Sequence, residues 1–97
     1  MNKQELVAVV AKRLDVTRAR AAAITELFFA ADGVIATELK RGGKVAISGF
    51  GTFEVRHRVA REGRNPRTGK ALTVRASDMP AFRAGRALKA SVNRRRG

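Results

Sequence analysis

Residues 48–76 decide the fold and read SGFGTFEVRHRVAREGRNPRTGKALTVRA. Apolar and polar side chains alternate over much of this stretch, and a period of two is typical of β-strands. Glycines on both sides of Phe50 allow a tight reversal near its start. In the turn at 65–69, Pro66 presets φ and Gly69 accepts a left-handed conformation. The stretch therefore predicts two strands that are joined by a basic turn.

The elements that flank this stretch can also be placed. Residues 45–47 alternate and predict a short strand before the glycine turn. Residues 71–76 predict the returning strand, and we expect Pro80 to end it. Residues 84–92 then predict a short last helix, and we expect a frayed tail at 94–97.

Two helices are predicted before the strands. Asn2 can cap the first helix and Thr17 the second, because both side chains can accept a hydrogen bond from a free backbone N–H. Apolar residues recur every three or four positions in both segments. The second helix is expected to run to the glycines at 42–43 and therefore to contain Asp32 and Gly33. The predicted order is α, α, β, β, a long arm, β, α.

The pair of strands around the basic turn has little to bury. Between residues 56 and 70 the large apolar side chains are few, chiefly Val59, and an isolated two-stranded ribbon is marginal in water. We expect this pair to project as an arm. The remaining chain is short for a stable monomer, and Leu27, Phe28 and Phe29 direct apolar groups to more than one side of a helix. These features predict a dimer with a second copy of the chain.

The charge points to a polyanionic partner. The 97 residues carry 21 basic and 8 acidic groups, a formal net charge of +13. Residues 1–41 are nearly balanced, whereas 56–75 and 83–97 are strongly basic. Nucleic acid is the commonest partner of such a protein, and a membrane surface is the second candidate. No apolar run could span a bilayer and no signal peptide is apparent, so we expect a cytosolic protein.

The sequence offers no site for catalysis, a cofactor or a metal ion. Gly63 and Gly69 are one residue too far apart for a phosphate-binding P-loop, and an alternating strand pattern follows them where a P-loop needs a helix. A dinucleotide fingerprint would need glycine in place of Glu54. The single histidine, His57, is expected on a strand near phosphate, and the absence of cysteine excludes thiolate sites. We predict no enzyme and no small-molecule substrate.

The basic arm is predicted to bind nucleic acid. Arginine outnumbers lysine in it, and arginine suits phosphate and narrow-groove contacts. Arg56 and Arg58 are expected on one face of a ribbon, which is a known way into a DNA groove. Two functions of Pro66 stay open at this point. It can serve only to shape the turn, or its rigid apolar ring can enter a base step and unstack it.

Three motifs carry a resemblance to a known family. They are SGFGTFEVR at 48–56, GRNPRTGK at 63–70 and MPAFRAGRALK at 79–89, and they follow an N-terminal MNKQELV. Together they resemble the bacterial HU and integration host factor family of histone-like, architectural DNA-binding proteins. The resemblance covers essentially the whole chain.

The resemblance implies an α+β fold and an intertwined homodimer. Each chain would form one domain over 1–97, with a helical dimerisation part at 1–43 and a three-stranded antiparallel sheet at 44–82. A β-ribbon arm at about 56–75 and a C-terminal helix with a basic tail at 83–97 would complete it. In the family the arms bind the DNA minor groove, as general accounts of these proteins describe. Pro66 would intercalate, and the protein would bend and condense DNA in the nucleoid.

Site residues follow by motif position. The residues that would bind DNA are Lys3, Arg56, Arg58, Arg61, Arg64, Asn65, Pro66, Arg67, Lys70, Arg75, Arg83 and Arg86. The residues that would form the dimer core are Phe28, Phe29, Ile47, Phe50, Phe53 and Phe82. No cofactor or metal is implied.

The chain departs from the family pattern at three places. Glu62 places an acid in the arm, Ala84 replaces a frequent proline, and the predicted second helix is longer than usual by most of one turn. Two alternative functions also remain. One is a site-specific DNA-bending subunit like integration host factor. The other is an RNA-binding or ribosome-associated protein, although the chain has no Trp or Tyr on which single-stranded bases could stack. RNA remains open as a secondary electrostatic ligand.

Overall fold

The computed structural model describes residues 1–94, which form two compact units. Residues Met1–Arg41 form a helical unit, and the second unit begins at Gly42. The elements in chain order are α1 (Lys3–Leu14), α2 (Arg18–Phe29), α3 (Val34–Lys40), β1 (Val45–Ile47), β2 (Gly51–Arg58), β3 (Arg61–Arg64), β4 (Ala71–Val74), β5 (Ser77–Ala84) and α4 (Arg86–Asn93). The predicted α+β class is confirmed. Of the predicted frayed tail at 94–97, residues 95–97 lie outside the described residues.

Both predicted helix caps are present in the helical unit. Asn2 Oδ1 accepts a hydrogen bond from the Glu5 backbone N–H at 2.9 Å, and α1 follows. Thr17 Oγ1 accepts one from the Arg20 N–H at 3.2 Å, and α2 follows. Each cap satisfies one of the backbone donors that the first turn of a helix leaves free. Within residues 1–94, no helix is both long enough and apolar enough to cross a membrane.

The prediction of one long second helix is wrong. The helix ends at Phe29, Ala30 adopts an extended conformation, and a separate helix begins at Val34. Gly33 caps this third helix, and its N–H donates to the Ala30 carbonyl at 2.9 Å. Glycine and aspartate are weak helix formers, and here they form a turn that the apolar periodicity on either side conceals.

The second unit contains a three-stranded antiparallel sheet of order β1-β2-β5 and a two-stranded ribbon, β3-β4. The turn between β1 and β2 forms as the glycines predict, because Gly49 has a φ of 83° and the Phe50 N–H donates to the Ile47 carbonyl. β2 and β5 pair from Gly51 opposite Ala84 to Arg58 opposite Ser77. The chain then continues through 59–60 into the ribbon.

The prediction that Pro80 ends a strand is also wrong. Pro80 lies inside β5, directly opposite Val55. β5 is an edge strand, so the missing N–H of proline can face away from the ladder without leaving a carbonyl unpaired. The returning strand is instead interrupted at 75–76, between β4 and β5. The last helix begins two residues later than predicted, at Arg86, after the Gly85 N–H has bonded to the Phe50 carbonyl at 2.8 Å.

A single chain buries few of its apolar side chains. The buried residues of α2 are Ala21 and Thr25, and Ile35 is the buried residue of α3. Among the described residues, no large side chain is fully buried. A monomer would therefore expose apolar surface to water.

Candidate nucleic-acid interface

The β2–β5 pair carries three arginines on one face. Successive side chains of a strand alternate between faces, so Arg56 and Arg58 share a face, as predicted. Arg83 lies opposite Thr52 in the register and therefore projects from this face as well. All three arginines are exposed.

Glu54 lies between two of these arginines. Its Oε2 is 3.5 Å from Arg56 Nε, and its Oε1 is 3.5 Å from Arg83 Nη2. The Glu54 side chain is only 23% exposed, whereas each arginine side chain is 62% exposed. The carboxylate therefore pairs with two guanidinium groups at the surface. Sequence reasoning missed this role because Glu54 was considered only as a position where a fingerprint glycine is lacking.

The tip of the ribbon is closed by short hydrogen bonds. The Asn65 N–H donates to the Lys70 carbonyl at 2.8 Å, and the Gly69 N–H donates to the Asn65 carbonyl at 2.8 Å. Asn65 Oδ1 also accepts from the Arg67 N–H at 2.8 Å, so the side chain closes a turn over Pro66. Gly69 has a φ of 72°, the left-handed residue that the turn sequence predicts.

This geometry exposes Pro66 at the end of the ribbon. The proline is exposed, and the half-buried Asn65 beside it fixes the backbone on both sides of the ring. Arg67 and Lys70 are exposed in the same loop. The tip is thus a rigid apolar ring surrounded by positive charge.

The predicted arm residues on β3 face different directions. Arg61 lies opposite Val74 and Arg64 lies opposite Ala71, with an odd number of steps between them, so they project from opposite faces of the ribbon. Glu62 shares the Arg64 face. Arg75 lies in the link between β4 and β5 and is exposed.

The histidine lies at the root of the arm. His57 pairs with Asp78 in the β2–β5 register, and its Nδ1 is 2.7 Å from Asp78 Oδ1. The sequence placed His57 on a strand, which is confirmed, but it did not predict the aspartate partner. The two residues are 21 positions apart, and only the register brings them together.

The remaining predicted DNA-binding residues lie outside the arm. Lys3 belongs to α1, where its Nζ pairs with Glu26 Oε1 at 2.5 Å. Arg86 is the first residue of α4, and Lys89, which the prediction omitted, lies one turn further along the same helix. Both α4 residues are exposed.

The residues predicted for the dimer core form two aromatic groups. Phe82 packs against Phe53 with ring centroids 4.9 Å apart and against Phe50 at 5.5 Å. Phe28 and Phe29 form a tilted pair at 6.2 Å at the end of α2. Four of the five phenylalanines are more than 40% exposed, and so is the Ile47 side chain of β1. Aromatic groups with this much free surface are typical of an interface.

The chain has a helical unit followed by a small antiparallel sheet, from which a basic ribbon extends. These features define a class of nucleic-acid-binding fold. The chain matches the model of the family described as bacterial DNA-binding protein over residues 1–93, and it belongs to that family. It is 47% identical over 91 residues to the DNA-binding protein HU of Streptococcus mutans, in a match that covers 94% of this chain and 97% of that protein. It is 45% identical over 93 residues to the DNA-binding protein HU-beta of Salmonella typhimurium, covering 96% and 100%.

Solved structures give the same result. The chain is similar to the protein in the Anabaena HU–DNA cocrystal structure, with a TM-score of 0.81 and 43% identity over 95% of this chain and 97% of that one. HU from Thermotoga maritima matches with a TM-score of 0.63 and 29% identity, covering 95% and 98%. The resemblance noted from the sequence motifs is therefore confirmed.

Proposed function

We propose that this chain is an architectural protein that binds and bends duplex DNA with little sequence preference. The observation that carries the proposal is the exposed Pro66 at the end of a basic ribbon, held by the Asn65 side chain. A rigid apolar ring can insert between base pairs and unstack them, and contacts between nearby cations and the phosphates can offset the cost of unstacking. Arg67 and Lys70 supply such cations within the same loop.

The energetics require many phosphate contacts. Smooth bending of a short DNA site by tens of degrees costs roughly 1–6 kcal/mol. Unstacking a base step adds a few kcal/mol more. The cations of the arm and of the β2–β5 face must offset both terms. The residues we assign to phosphate and groove contacts are Lys3, Arg56, Arg58, Arg61, Arg64, Asn65, Arg67, Lys70, Arg75, Arg83 and Arg86.

We infer that the functional unit is a homodimer. The exposed aromatic groups around Phe82 and Phe29 support this, since a monomer would leave them in water. Two chains would also present two arms, so that one DNA segment could be kinked twice. Sedimentation equilibrium at micromolar concentration is expected to give twice the mass of the chain. A stable, folded monomer under those conditions would refute the dimer.

The proposed activity is binding and not catalysis, and the proposed location is the nucleoid, in the cytoplasm. The proposed surface consists mainly of arginines, lysines and one proline, and these residues can bind DNA without contacts to the base edges. In a competition experiment, random-sequence duplex should therefore displace the protein from a labelled site about as well as unlabelled duplex that contains the site. Strong preference for one site would favour the integration-host-factor alternative.

The experiment that tests the proposal measures energy transfer between the two ends of a labelled random-sequence duplex. The wild type is expected to bring the ends closer. Pro66→Ala is expected to bind but to bend less. The chain has only two prolines, and Pro80→Ala is the matched control, because it removes the other ring from the β5 edge strand. If the wild type binds without bending, the architectural function is refuted and the arm is only an electrostatic clamp.

A further inference from the structure

A methionine lies among the charged side chains on one face of the β2–β5 pair. Met79 is directly opposite Arg56 in the register, and opposite residues of an antiparallel pair share a face. Met79 therefore projects from the face that carries Arg56, Arg58 and Arg83. The other large apolar side chains of these two strands lie on the opposite face, and they are Phe53, Val55, Pro80 and Phe82.

The surroundings of Met79 suit a contact with a bound molecule. The residue is 42% exposed and lies on the face opposite the aromatic group around Phe82. Methionine is unbranched and polarizable, so its side chain adapts to irregular apolar surfaces. On a surface that binds DNA, the thioether can pack against deoxyribose rings next to the phosphates that the arginines contact. Burial of this apolar side chain would favour binding.

We propose that Met79 contacts DNA in the complex and that oxidation of its thioether to the sulfoxide weakens binding. The inference rests on the proposed function. It adds a modification site to the DNA-binding surface, and the reactant belongs to the class of peroxides.

The oxidation needs no reactant besides hydrogen peroxide. A lone pair of the Met79 sulfur attacks one peroxide oxygen, the O–O bond breaks and an S–O bond forms. The sulfur is oxidised by two electrons and the peroxide is reduced. The second oxygen leaves as hydroxide, takes the proton of the transferred oxygen and becomes water. The product is a polar side chain, which methionine sulfoxide reductases can convert back to the thioether.

Two effects of the sulfoxide would oppose DNA binding. The new oxygen is a hydrogen-bond acceptor on the residue opposite Arg56, whose Nε already lies 3.5 Å from Glu54 Oε2. Phosphates would then compete with a second acceptor for the same guanidinium group. The sulfoxide would also have to lose water where the thioether packed against sugar rings, and burial of a polar group without a partner is unfavourable.

The composition of the chain makes the test specific. It has two methionines and no cysteine, so Met1 and Met79 supply all of its sulfur atoms. Met1 precedes α1 in the helical unit and is exposed, so peroxide can reach it as well. Met79→Leu conserves the volume of the side chain and leaves Met1 as the one oxidisable sulfur.

The first experiment measures duplex affinity before and after treatment with hydrogen peroxide. Mass spectrometry confirms that the methionines are converted, and each protein is compared with its own untreated form. The treated wild type is expected to bind about three- to tenfold more weakly, the effect of one misplaced polar contact. The affinity of Met79→Leu is expected to change by less than about twofold on treatment, as surface changes outside an interface do. The two methionine sulfoxide reductases, one for each epimer, with dithiothreitol as reductant, should restore the wild type.

A second experiment tests the contact itself. Saturating duplex is expected to slow the oxidation of Met79 at least severalfold, because a side chain buried in an interface is shielded from peroxide. N-acetylmethionine in the same solution is the control, since its oxidation reports any loss of peroxide to the DNA. An unchanged rate at Met79 would refute the contact.

The outcomes separate this inference from the proposed function. If the wild type binds and bends duplex DNA equally well with Met79 fully oxidised, the inference fails and the function stands. The inference also fails if treated Met79→Leu loses as much affinity as the treated wild type, because the effect would then come from elsewhere in the chain. If the untreated wild type does not bind duplex DNA, the proposed function fails first. Circular dichroism before and after treatment shows whether the sheet and helices stay intact, and loss of structure in the treated wild type would overturn the assignment to a DNA contact.

Discussion

The Phe82 ring lies directly against the backbone of Gly51, at the start of β2. A Cβ added to Gly51 would collide with that ring and would lie 2.7 Å from the Arg83 carbonyl oxygen. Gly51 is buried and has an ordinary strand conformation. Glycine is therefore required here because there is no space for a side chain, and not because of φ. The close approach lets the Phe82 ring pack against both Phe50 and Phe53, with tilted ring planes.

Gly51→Ala is therefore expected to lower the free energy of unfolding by about 1–3 kcal/mol, the usual effect of overpacking. Gly63→Ala is the control, since a Cβ there has open space, and it should change the free energy by less than about 0.5 kcal/mol. Urea unfolding at one fixed protein concentration measures both. Equal stability of the two variants would contradict the packing described here.

Glu54→Gln is expected to strengthen DNA binding several-fold. The Glu54 carboxylate pairs with Arg56 and Arg83 in the free protein. DNA phosphates would have to compete with it for these arginines, and they would then lie close to its negative charge. The variant keeps the shape of the side chain and removes the competing charge. Both arginine partners are 62% exposed, and ion pairs with such exposed groups contribute little, so stability should fall by less than about 1 kcal/mol.

Fluorescence anisotropy with a labelled duplex at fixed salt measures this effect. Glu38→Gln is the control, because Glu38 pairs with an arginine of the helical unit, Arg41, at the longer distance of 4.0 Å. It should change DNA affinity less than Glu54→Gln does. Weaker binding by Glu54→Gln would show instead that the carboxylate positions the two arginines for DNA.

Salt should weaken DNA binding steeply. If about eight phosphates are neutralised per complex, log K should fall with log salt at a slope near −7, because each contact releases condensed counterions. Titrations between about 50 and 200 mM salt give the slope. A slope shallower than about −3 would mean that only a few phosphates are contacted. This result would contradict a mode of binding in which DNA wraps around the protein.

The sequence predicted what local patterns determine. Period-two alternation and the glycines around Phe50 gave the sheet and its first turn, and the side chains of Asn2 and Thr17 gave two helix starts. The tip turn followed from Pro66 and Gly69 because both residues restrict or require particular φ values. These elements depend on neighbours within a few residues.

Other features were missed because tertiary structure decides them. Pro80 is tolerated inside a strand because β5 is an edge, and edge position is a property of the whole sheet. Glu54 gained its two arginine partners, and His57 its aspartate, through the β2–β5 register, which joins residues far apart in sequence. The roles assigned to the DNA-binding and dimer-core residues remain predictions.

The break between α2 and α3 gives the sharpest test of the fold, because the two descriptions of it predict opposite signs. In a continuous helix, Gly33→Ala would stabilise the protein by about 1 kcal/mol, since alanine is the better helix former. In the structure, a Cβ at Gly33 would lie 2.7 Å from the Leu27 carbonyl oxygen and 2.9 Å from that of Glu26. These are backbone atoms that cannot move aside cheaply, so we expect destabilisation by about 1–3 kcal/mol. Asp32→Ala is the control, because Asp32 is exposed in the same turn and the variant retains the carbonyl that accepts from Thr37 Oγ1. Thermal unfolding at matched concentration decides the sign, and a stabilised Gly33→Ala protein would show that the helix runs through.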